Sequence, residues 1–365
     1  MSLHGDHTIN EILSQPASWA SALAAVRSGA GSIQGMLRRF ADRPLLLSGC
    51  GSPYYLALSA AALLRAHAGR ACMAAPASEL LLHPHTLIPD AAAPLLMVFS
   101  RSGETSEVIA AARAVQQRGG AVIAVGCDAA ATLLRLADVA VEVADGREQS
   151  LAQTRSFAGM FVAAQAIVAL AAAERGGAHQ ALEDGLARLL AAGPACIERA
   201  RSAVASLASD PAIARVFVLG SGSRYGLACE AALKFKEMAL TDAEPFHTLE
   251  FRHGPLALAD ERALVVGLVS EAGADEELAV LREVHALGAR TVALLERAPV
   301  DTRGLDALFA FESQVPEPAR DVLYLAPLQL MAYERAIAKG LNPDTPRNLV
   351  RFVRRPELEA SGQLS

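Results

Sequence analysis

The chain has 365 residues, of which 52% are hydrophobic, so it is long enough for two domains and can bury large cores. Its net charge is −6 and its 33 lysines and arginines are scattered along the chain, which argues against nucleic acid as the main partner. The five cysteines are widely spaced and form no CxxC pair, as expected for reduced thiols in a cytoplasmic protein.

Neither a membrane segment nor a metal site is predicted. The first seven residues are polar, so we expect no secretory signal. The alanine-rich run of residues 158–173 is interrupted by Gln165 and is shorter than a membrane span, which favours a buried helix. Pro84 lies between His83 and His85 and favours an extended backbone that separates the two rings. We therefore predict no metal ion and no cofactor.

Residues 1–43 are predicted to form an N-terminal helical segment, in which residues 8–40 are helical. Over residues 44–175, short apolar runs alternate with helical stretches, which predicts an α/β domain with a parallel sheet covered on both faces. Its strands are predicted at residues 45–47, 71–75, 95–99, 121–125 and 139–143, and its helices at 54–67, 106–118, 129–136 and 156–173.

A second α/β domain is predicted at residues 211–345, after a helical linker at 176–210 and before a C-terminal tail at 346–365. Its predicted strands are residues 216–219, 263–269 and 291–295. The two domains repeat each other: residues 47–54 (LSGCGSPY) align without a gap with residues 218–225 (VLGSGSRY), and Ser100…Gly103 corresponds to Ser270…Gly273. This self-similarity indicates a duplicated unit of about 140 residues.

The turn after the third strand is a candidate anion site. Unpaired first-turn amides and the helix dipole favour negative charge at the start of the following helix. Hydroxyl donors and one cation precede that start, at Ser100, Arg101, Ser102 and Thr105. A helix cap alone is the alternative, but it needs fewer groups. The turn does not match the GxxxxGK(S/T) nucleotide loop, and no GxGxxG motif follows any predicted strand. We therefore expect the ligand to be a phosphorylated small molecule rather than a nucleotide. The second copy, SEAGAD at 270–275, loses the hydroxyls and gains acids, so the anion site is assigned to the first copy.

The second copy carries ionisable groups of its own. Glu230, Lys234 and Glu237 are spaced to share one helix face, and the alternative is a solvated ladder of ion pairs. The following stretch, residues 244–255, is predicted to be a loop and contains His253. A histidine near a carboxylate helix provides groups that can move protons at neutral pH.

Together these stretches resemble the SIS (sugar isomerase) domain family, in its tandem form as in the isomerase half of glucosamine-6-phosphate synthases, over about residues 44–353. The matching stretches are residues 50–52, 100–105, 152–157, 230–237, 250–258 and 346–349. The resemblance implies two flavodoxin-like αβα domains and a homodimer with the active site at its interface.

The resemblance also implies a role for each site residue. Glu237 would carry a proton between C1 and C2, and His253, often contributed by the other subunit, would open the sugar ring. Lys234 and Glu230 would support the site electrostatically. The residues implied to hold the substrate and its phosphate are Gly51, Ser52, Ser100, Arg101, Ser102, Thr105 and Gln153.

Departures from the synthases narrow the expected reaction. Pro53 replaces a phosphate-binding serine, and Arg351 stands where the synthases carry a Schiff-base lysine. Because a guanidinium stays protonated, we expect no imine at Arg351. The sequence contains no glutaminase half, so we expect no glutamine-dependent amination. The stretch at residues 152–157 is more similar to stand-alone deaminases, isomerases and deglycases.

Glucosamine-6-phosphate deaminase is the expected activity, because transfer of the C2 proton in an amino sugar gives an imine that water hydrolyses. A ketose/aldose isomerase of the tagatose-6-phosphate type and a deglycase for phosphorylated fructosamines use the same groups and remain alternatives. A sugar-phosphate sensor, which needs only the phosphate loop, is the alternative without catalysis.

Overall fold

The computed structural model describes residues 4–89, 92–174, 176, 179–203 and 209–355. The chain divides into two compact units. The first unit comprises Ser14–Glu148, Arg155–Leu186 and Val350–Ser365, and the second comprises Met1–Leu13, Gln149–Thr154 and Ala187–Leu349. The predicted domain boundaries stay a prediction, and parts of the predicted linker (177–178 and 204–208) and tail (356–365) lie outside the described residues.

Helices and parallel strands alternate along both units. In the described residues the helices are α1 (Asp6–Leu13), α2 (Gln15–Ser28), α3 (Ala30–Arg39), α4 (Ser52–Ala68), α5 (Ala77–Leu82), α6 (Ser106–Gln117), α7 (Thr132–Leu136), α8 (Arg155–Glu174), α9 (Gln180–Ala203), α10 (Arg224–Ala239), α11 (Ala274–Ala286), α12 (Glu317–Arg320) and α13 (Leu325–Ala338). The strands are β1 (Leu45–Gly49), β2 (Met73–Pro76), β3 (Leu95–Ser100), β4 (Ala121–Gly126), β5 (Val139–Glu142), β6 (Arg215–Gly220), β7 (Asp242–Phe246), β8 (Ala263–Leu268), β9 (Arg290–Leu295) and β10 (Ala307–Ala310).

Each unit contains one parallel sheet of five strands in its described part. The orders are β2-β1-β3-β4-β5 and β10-β9-β8-β6-β7, which are the same order when the strands of each copy are numbered along the chain. This is the flavodoxin-like order. All residues of β1, β3, β4 and β8 are buried, as expected for strands covered on both faces. The predicted duplicated α/β fold is confirmed.

Several predicted bounds were wrong. The N-terminal segment is helical as predicted and consists of three helices, whereas the helix predicted at 129–136 is reduced to α7. Residues 244–246, predicted to lie in a loop, belong to β7, and β10 was not predicted. Both are edge strands, where Pro245 is tolerated because an edge strand leaves some amide positions unpaired.

Helix α8 is longer than the alanine-rich run suggested. It has 20 residues, and among the described residues it is the one helix that is long and apolar enough to cross a membrane. However, 89% of its apolar window is buried inside the protein. In the structure α8 is therefore a core helix, although the reason given from the sequence, that the run is too short, was wrong.

Candidate functional site

The loop between β3 and α6 is shaped by its own hydroxyl groups. Ser100, the last residue of β3, accepts a hydrogen bond at Oγ from the amide of Gly103 (3.1 Å), and Ser102 Oγ accepts one from the amide of Glu104 (3.2 Å). Gly103 has a φ of +63°, and a Cβ there would lie 2.5 Å from the Cβ of Ala131. The turn therefore requires glycine for both its conformation and its close approach.

The loop continues directly into the start of α6. Thr105 is the N-cap residue with an extended backbone, and its side chain makes no capping hydrogen bond. The carboxylate of Glu104 accepts hydrogen bonds from the amide (2.7 Å) and the hydroxyl (3.1 Å) of Thr132 on α7. The alternative of a simple side-chain cap is thus not what Thr105 forms in this structure.

The loop after β1 lies at the same edge of the sheet. Strands β1 and β3 are parallel neighbours with Ser48 opposite Val98, so their carboxyl ends meet at one edge. Gly51 has a φ of +61° and precedes Ser52, the buried first residue of α4. The structure thus brings Gly51 and Ser52 to the edge that carries the loop after β3.

The guanidinium of Arg101 has protein partners. Arg101 is 6% exposed; its Nη1 lies 3.5 Å from Glu148 Oε2, and its Nη2 donates to the carbonyl of Arg351 (3.0 Å). Glu148 also accepts from the amide (3.1 Å) and hydroxyl (2.5 Å) of Ser156. Sequence reasoning missed Glu148, because it lies just outside the stretch that matched the family and no local pattern marks it.

Gln153 lies in the other unit from the loop after β3. It belongs to the stretch Gln149–Thr154, which groups with the second unit. There the amide of Leu151 donates to the carbonyl of Asp344 (2.9 Å), and Gln329 Nε2 donates to the carbonyl of Thr154 (3.3 Å). The predicted role of Gln153 in substrate binding therefore stays a prediction.

Helix α10 carries a buried line of charges in the second unit. Lys234 Nζ lies 3.3 Å from Glu230 Oε1 and is hydrogen-bonded to Glu237. The exposed fractions of the side chains are 0% for Lys234, 1% for Glu230 and 18% for Glu237. A solvated ladder is therefore the wrong interpretation. Burial alone would lower the pKa of Lys234, but the two carboxylates raise it above its usual value, so Lys234 is a cation at neutral pH.

His253 ends the short 3-10 helix Leu249–Arg252. Its amide donates to the carbonyl of Glu250 (3.0 Å), and the preceding Arg252 pairs with Glu283 (2.7 Å). The His253 side chain is exposed, and Gly254 follows with a φ of +120°. The fold thus presents this histidine on the surface of its unit.

The corresponding loop of the second copy is occupied by a carboxylate of the protein itself. Ser270 Oγ accepts from the amide of Gly273 (2.9 Å), as in the first copy. Glu277 Oε2 then accepts from the amide (2.6 Å) and the hydroxyl (2.9 Å) of Ser270. A negative side chain at this turn disfavours a second anion there.

Comparison with known proteins gives one family and several full-length structural matches. A family model described as "SIS domain" matches residues 41–170 and 212–338. A glutamine–fructose-6-phosphate aminotransferase (isomerizing) from Brucella abortus is 29% identical over 315 residues, covering 85% of this chain and 51% of that protein. The equivalent protein from Treponema pallidum is 31% identical over 390 residues, covering 96% and 60%. The chain thus spans about half the length of the first of these relatives.

Solved structures share the fold along almost the whole chain. A tagatose-6-phosphate ketose/aldose isomerase from Escherichia coli matches with a TM-score of 0.81 and 24% identity, covering 96% of this chain and 97% of that one. A glucosamine-6-phosphate deaminase from Thermotoga maritima matches with a TM-score of 0.71 and 24% identity, covering 91% and 99%. At these identities the matches establish the fold.

Proposed function

The chain belongs to the SIS domain family, and from this premise we propose that it is a cytoplasmic phosphosugar isomerase or deaminase. Its proposed reaction converts glucosamine-6-phosphate and water into fructose-6-phosphate and ammonia. The observation that carries this proposal is the line of charges on α10, in which a fully buried Lys234 holds the partly exposed Glu237. A sensor has no need of such a carboxylate.

Glu237 is the proposed proton carrier. In the open-chain amino sugar, the C1 carbonyl acidifies the proton on C2. A carboxylate removes this proton and returns it to C1, while the C1 oxygen gains the proton that the amino group loses. The products are a hydroxyl group at C1 and an imine at C2, and water hydrolyses the imine to the ketose and ammonia. General-base catalysis requires a base fixed at its substrate. The ammonium of Lys234 supplies that fixation, while Glu230 balances the charge of Lys234 on its other side.

The loop between β3 and α6 is the proposed phosphate site. Hydroxyl groups of Ser100, Ser102 and Thr105 provide donors for a dianion, together with the first-turn amides of α6 other than that of Ser106, which is bonded to the carbonyl of Val353. Gly51 and Ser52 extend this set from the neighbouring loop. Binding of a phosphate remote from C1 and C2 fixes the sugar and contributes positioning energy.

His253 is the proposed acid/base for ring opening. Its exposure on one chain suits a homodimer in which the histidine of each subunit completes the site of the other. We propose this homodimer together with the role of His253, and Gln153 is proposed as a further substrate ligand.

A ketose/aldose isomerase is the second candidate. The same Glu237 moves a proton between C1 and C2 when C2 carries a hydroxyl group, and then no ammonia forms. A deglycase acting on phosphorylated fructosamines uses the same chemistry. The C2 substituent therefore decides between these activities, and product analysis distinguishes them.

The test is release of ammonia and fructose-6-phosphate from glucosamine-6-phosphate without glutamine, in wild type, Glu237→Gln and a control, Glu244→Gln. Glu244 is an exposed carboxylate on β7. We expect equal amounts of both products from wild type and control. Glu237→Gln should lose turnover by at least about 10³-fold while substrate binding stays within a few-fold. Wild-type turnover in Glu237→Gln would exclude Glu237 as the base, and no ammonia from wild type would exclude the deaminase.

A further inference from the structure

Arg101 differs from the other residues of the phosphate loop because its charge is already paired. Its side chain is 6% exposed, and its guanidinium contacts the buried carboxylate of Glu148 and the carbonyl of Arg351. A cation that is desolvated and paired with a carboxylate has little charge left for an incoming phosphate. The contacts of Arg101 thus fit a structural anchor better than a phosphate ligand.

The anchored element is the tail segment, defined as residues 350–355. Arg351 also hydrogen-bonds the carbonyl of Glu148 through its own guanidinium. Further along, the carbonyl of Val353 accepts from the amide of Ser106 (3.2 Å), and Ser106 Oγ accepts from the amide of Arg355 (2.8 Å). The tail segment is therefore bound to both ends of the phosphate loop, at Arg101 and at the first residue of α6.

The second copy contains an ion pair of inverted charge at this position, in which the carboxylate side chain is 58% exposed. Glu271 occupies the position of Arg101, and its carboxylate accepts a hydrogen bond from Arg320 (2.7 Å). Arg320, 1% exposed, lies between β10 and α13, as Glu148 lies between β5 and α8. Because the pairing persists while its polarity is reversed, pairing rather than positive charge is the property shared by this position.

We propose that Arg101 and Glu148 are positioning residues, which hold the tail segment against the phosphate loop and affect substrate affinity through that segment. The substrate part of this inference rests on the proposed function. The alternative, that Arg101 binds the phosphate directly, predicts the opposite change in substrate affinity for the variant Glu148→Gln. If Arg101 bound the phosphate, Glu148→Gln would release its charge and tighten binding. If Arg101 is an anchor, the same change loosens the tail segment and weakens binding.

The test uses full-length Glu148→Gln and Arg101→Gln, with Glu142→Gln as the control because Glu142 is a carboxylate of the same unit paired with the exposed Arg147 (3.2 Å). Trypsin cleavage after Arg351 and Arg354 is followed by mass spectrometry. Cleavage after Arg303, whose side chain is 90% exposed, is the internal reference for trypsin activity on each variant. KM and kcat for glucosamine-6-phosphate and the inhibition constant of inorganic phosphate are measured in parallel.

In both test variants we expect tail cleavage to accelerate at least about tenfold, with cleavage after Arg303 and the control unchanged. KM and the phosphate inhibition constant should rise about tenfold, with kcat within about twofold. A lower inhibition constant in Glu148→Gln, or a raised one in Arg101→Gln with tail cleavage unchanged, would overturn the inference. If Glu148→Gln does not fold, Arg101→Gln decides, since its Glu148 keeps both bonds to Ser156. Tail cleavage needs no substrate, so lack of turnover in wild type would overturn the proposed function alone.

Discussion

Replacing Lys234 with methionine tests whether the charges on α10 form a buried network. The methionine would keep most of the volume of an unbranched side chain but remove the cation that lies 3.3 Å from Glu230, a carboxylate that is 1% exposed. Removing one partner of a buried ion pair costs about 3–5 kcal/mol, because it leaves an uncompensated buried charge. We expect the free energy of unfolding to fall by this amount at pH 7 and the melting temperature by about 6–20 °C.

The double variant Glu230→Gln with Lys234→Met is the internal control for this prediction. With both buried charges removed, most of the loss should be recovered, since uncharged replacement of a buried pair is close to neutral. Glu237 is 18% exposed and can be hydrated in either variant. Lys236→Met, which changes an exposed lysine on the same helix, should leave the melting temperature unchanged.

The pH dependence of the difference between wild type and Lys234→Met provides a second check. The carboxylates of Glu230 and Glu237 outweigh burial and raise the pKa of Lys234 above its ordinary value of 10.5. A raised pKa in the folded state stabilises fully below the unfolded pKa, and this stabilisation is lost as pH rises through the folded value. The contribution of Lys234 should therefore be complete at neutral pH and decrease only above about pH 10.5.

Differential scanning calorimetry at pH 7 and pH 8.5 measures these effects. The difference in melting temperature between wild type and Lys234→Met should be the same at both pH values. A melting temperature unchanged in Lys234→Met would show that the three charges are not a buried network. A double variant as unstable as the single one would show that packing, rather than charge, sets the loss.

Two further substitutions test the phosphate loop. Gly103→Ala should raise KM about tenfold and lower the free energy of unfolding by more than about 1 kcal/mol, because the new Cβ would lie 2.5 Å from Ala131 at a φ of +63°. Gly69→Ala is the control for conformation alone, since Gly69 has a φ of +56° and no atom within 4 Å of the new Cβ. If both variants change KM and melting temperature equally, the clash with Ala131 is not the cause. The double variant Ser102→Ala with Thr105→Ala should raise KM for glucosamine-6-phosphate at least about tenfold with little change in kcat. Steady-state kinetics measure KM and kcat, and an unchanged KM would show that the loop begins helix α6 without binding the phosphate.

The central strands could be predicted because their burial on both faces gives continuous apolar runs. The predicted first residues of four of them, Leu45, Leu95, Ala121 and Ala263, agree with the structure. Edge strands β7 and β10 could not be found in this way. Residues 242–246 read DAEPF, and acids and proline are typical of loops, so only pairing with β6 identifies the segment as a strand.

Site residues could be found where the chain concentrates them locally. The hydroxyls after β3 and the charges on α10 each lie within eight residues of sequence, so their spacing was visible. The pairing of Arg101 with Glu148 joins residues 47 positions apart. The contact forms only because the fold places the end of β3 beside the segment before α8. The local sequence around either residue does not indicate it. The contact of Arg351 with Glu148 is hidden for the same reason, across 203 positions.

The two copies show how one turn can serve two purposes. In both turns a serine hydroxyl accepts a hydrogen bond from a glycine amide. The distance is 3.1 Å from the nitrogen of Gly103 in the first copy and 2.9 Å from that of Gly273 in the second. In the second copy Glu277 also accepts hydrogen bonds from the amide and the hydroxyl of Ser270. These donors are therefore already bonded, and the negative charge of Glu277 would repel a phosphate. In the first copy the glutamate at the same position, Glu107, makes no hydrogen bond to Ser100 among the described residues, and its Oε2 is buried without a hydrogen-bond partner there. The sugar phosphate is therefore expected at the turn where serine and threonine donors remain and the neighbouring carboxylate Glu148 is neutralised by Arg101.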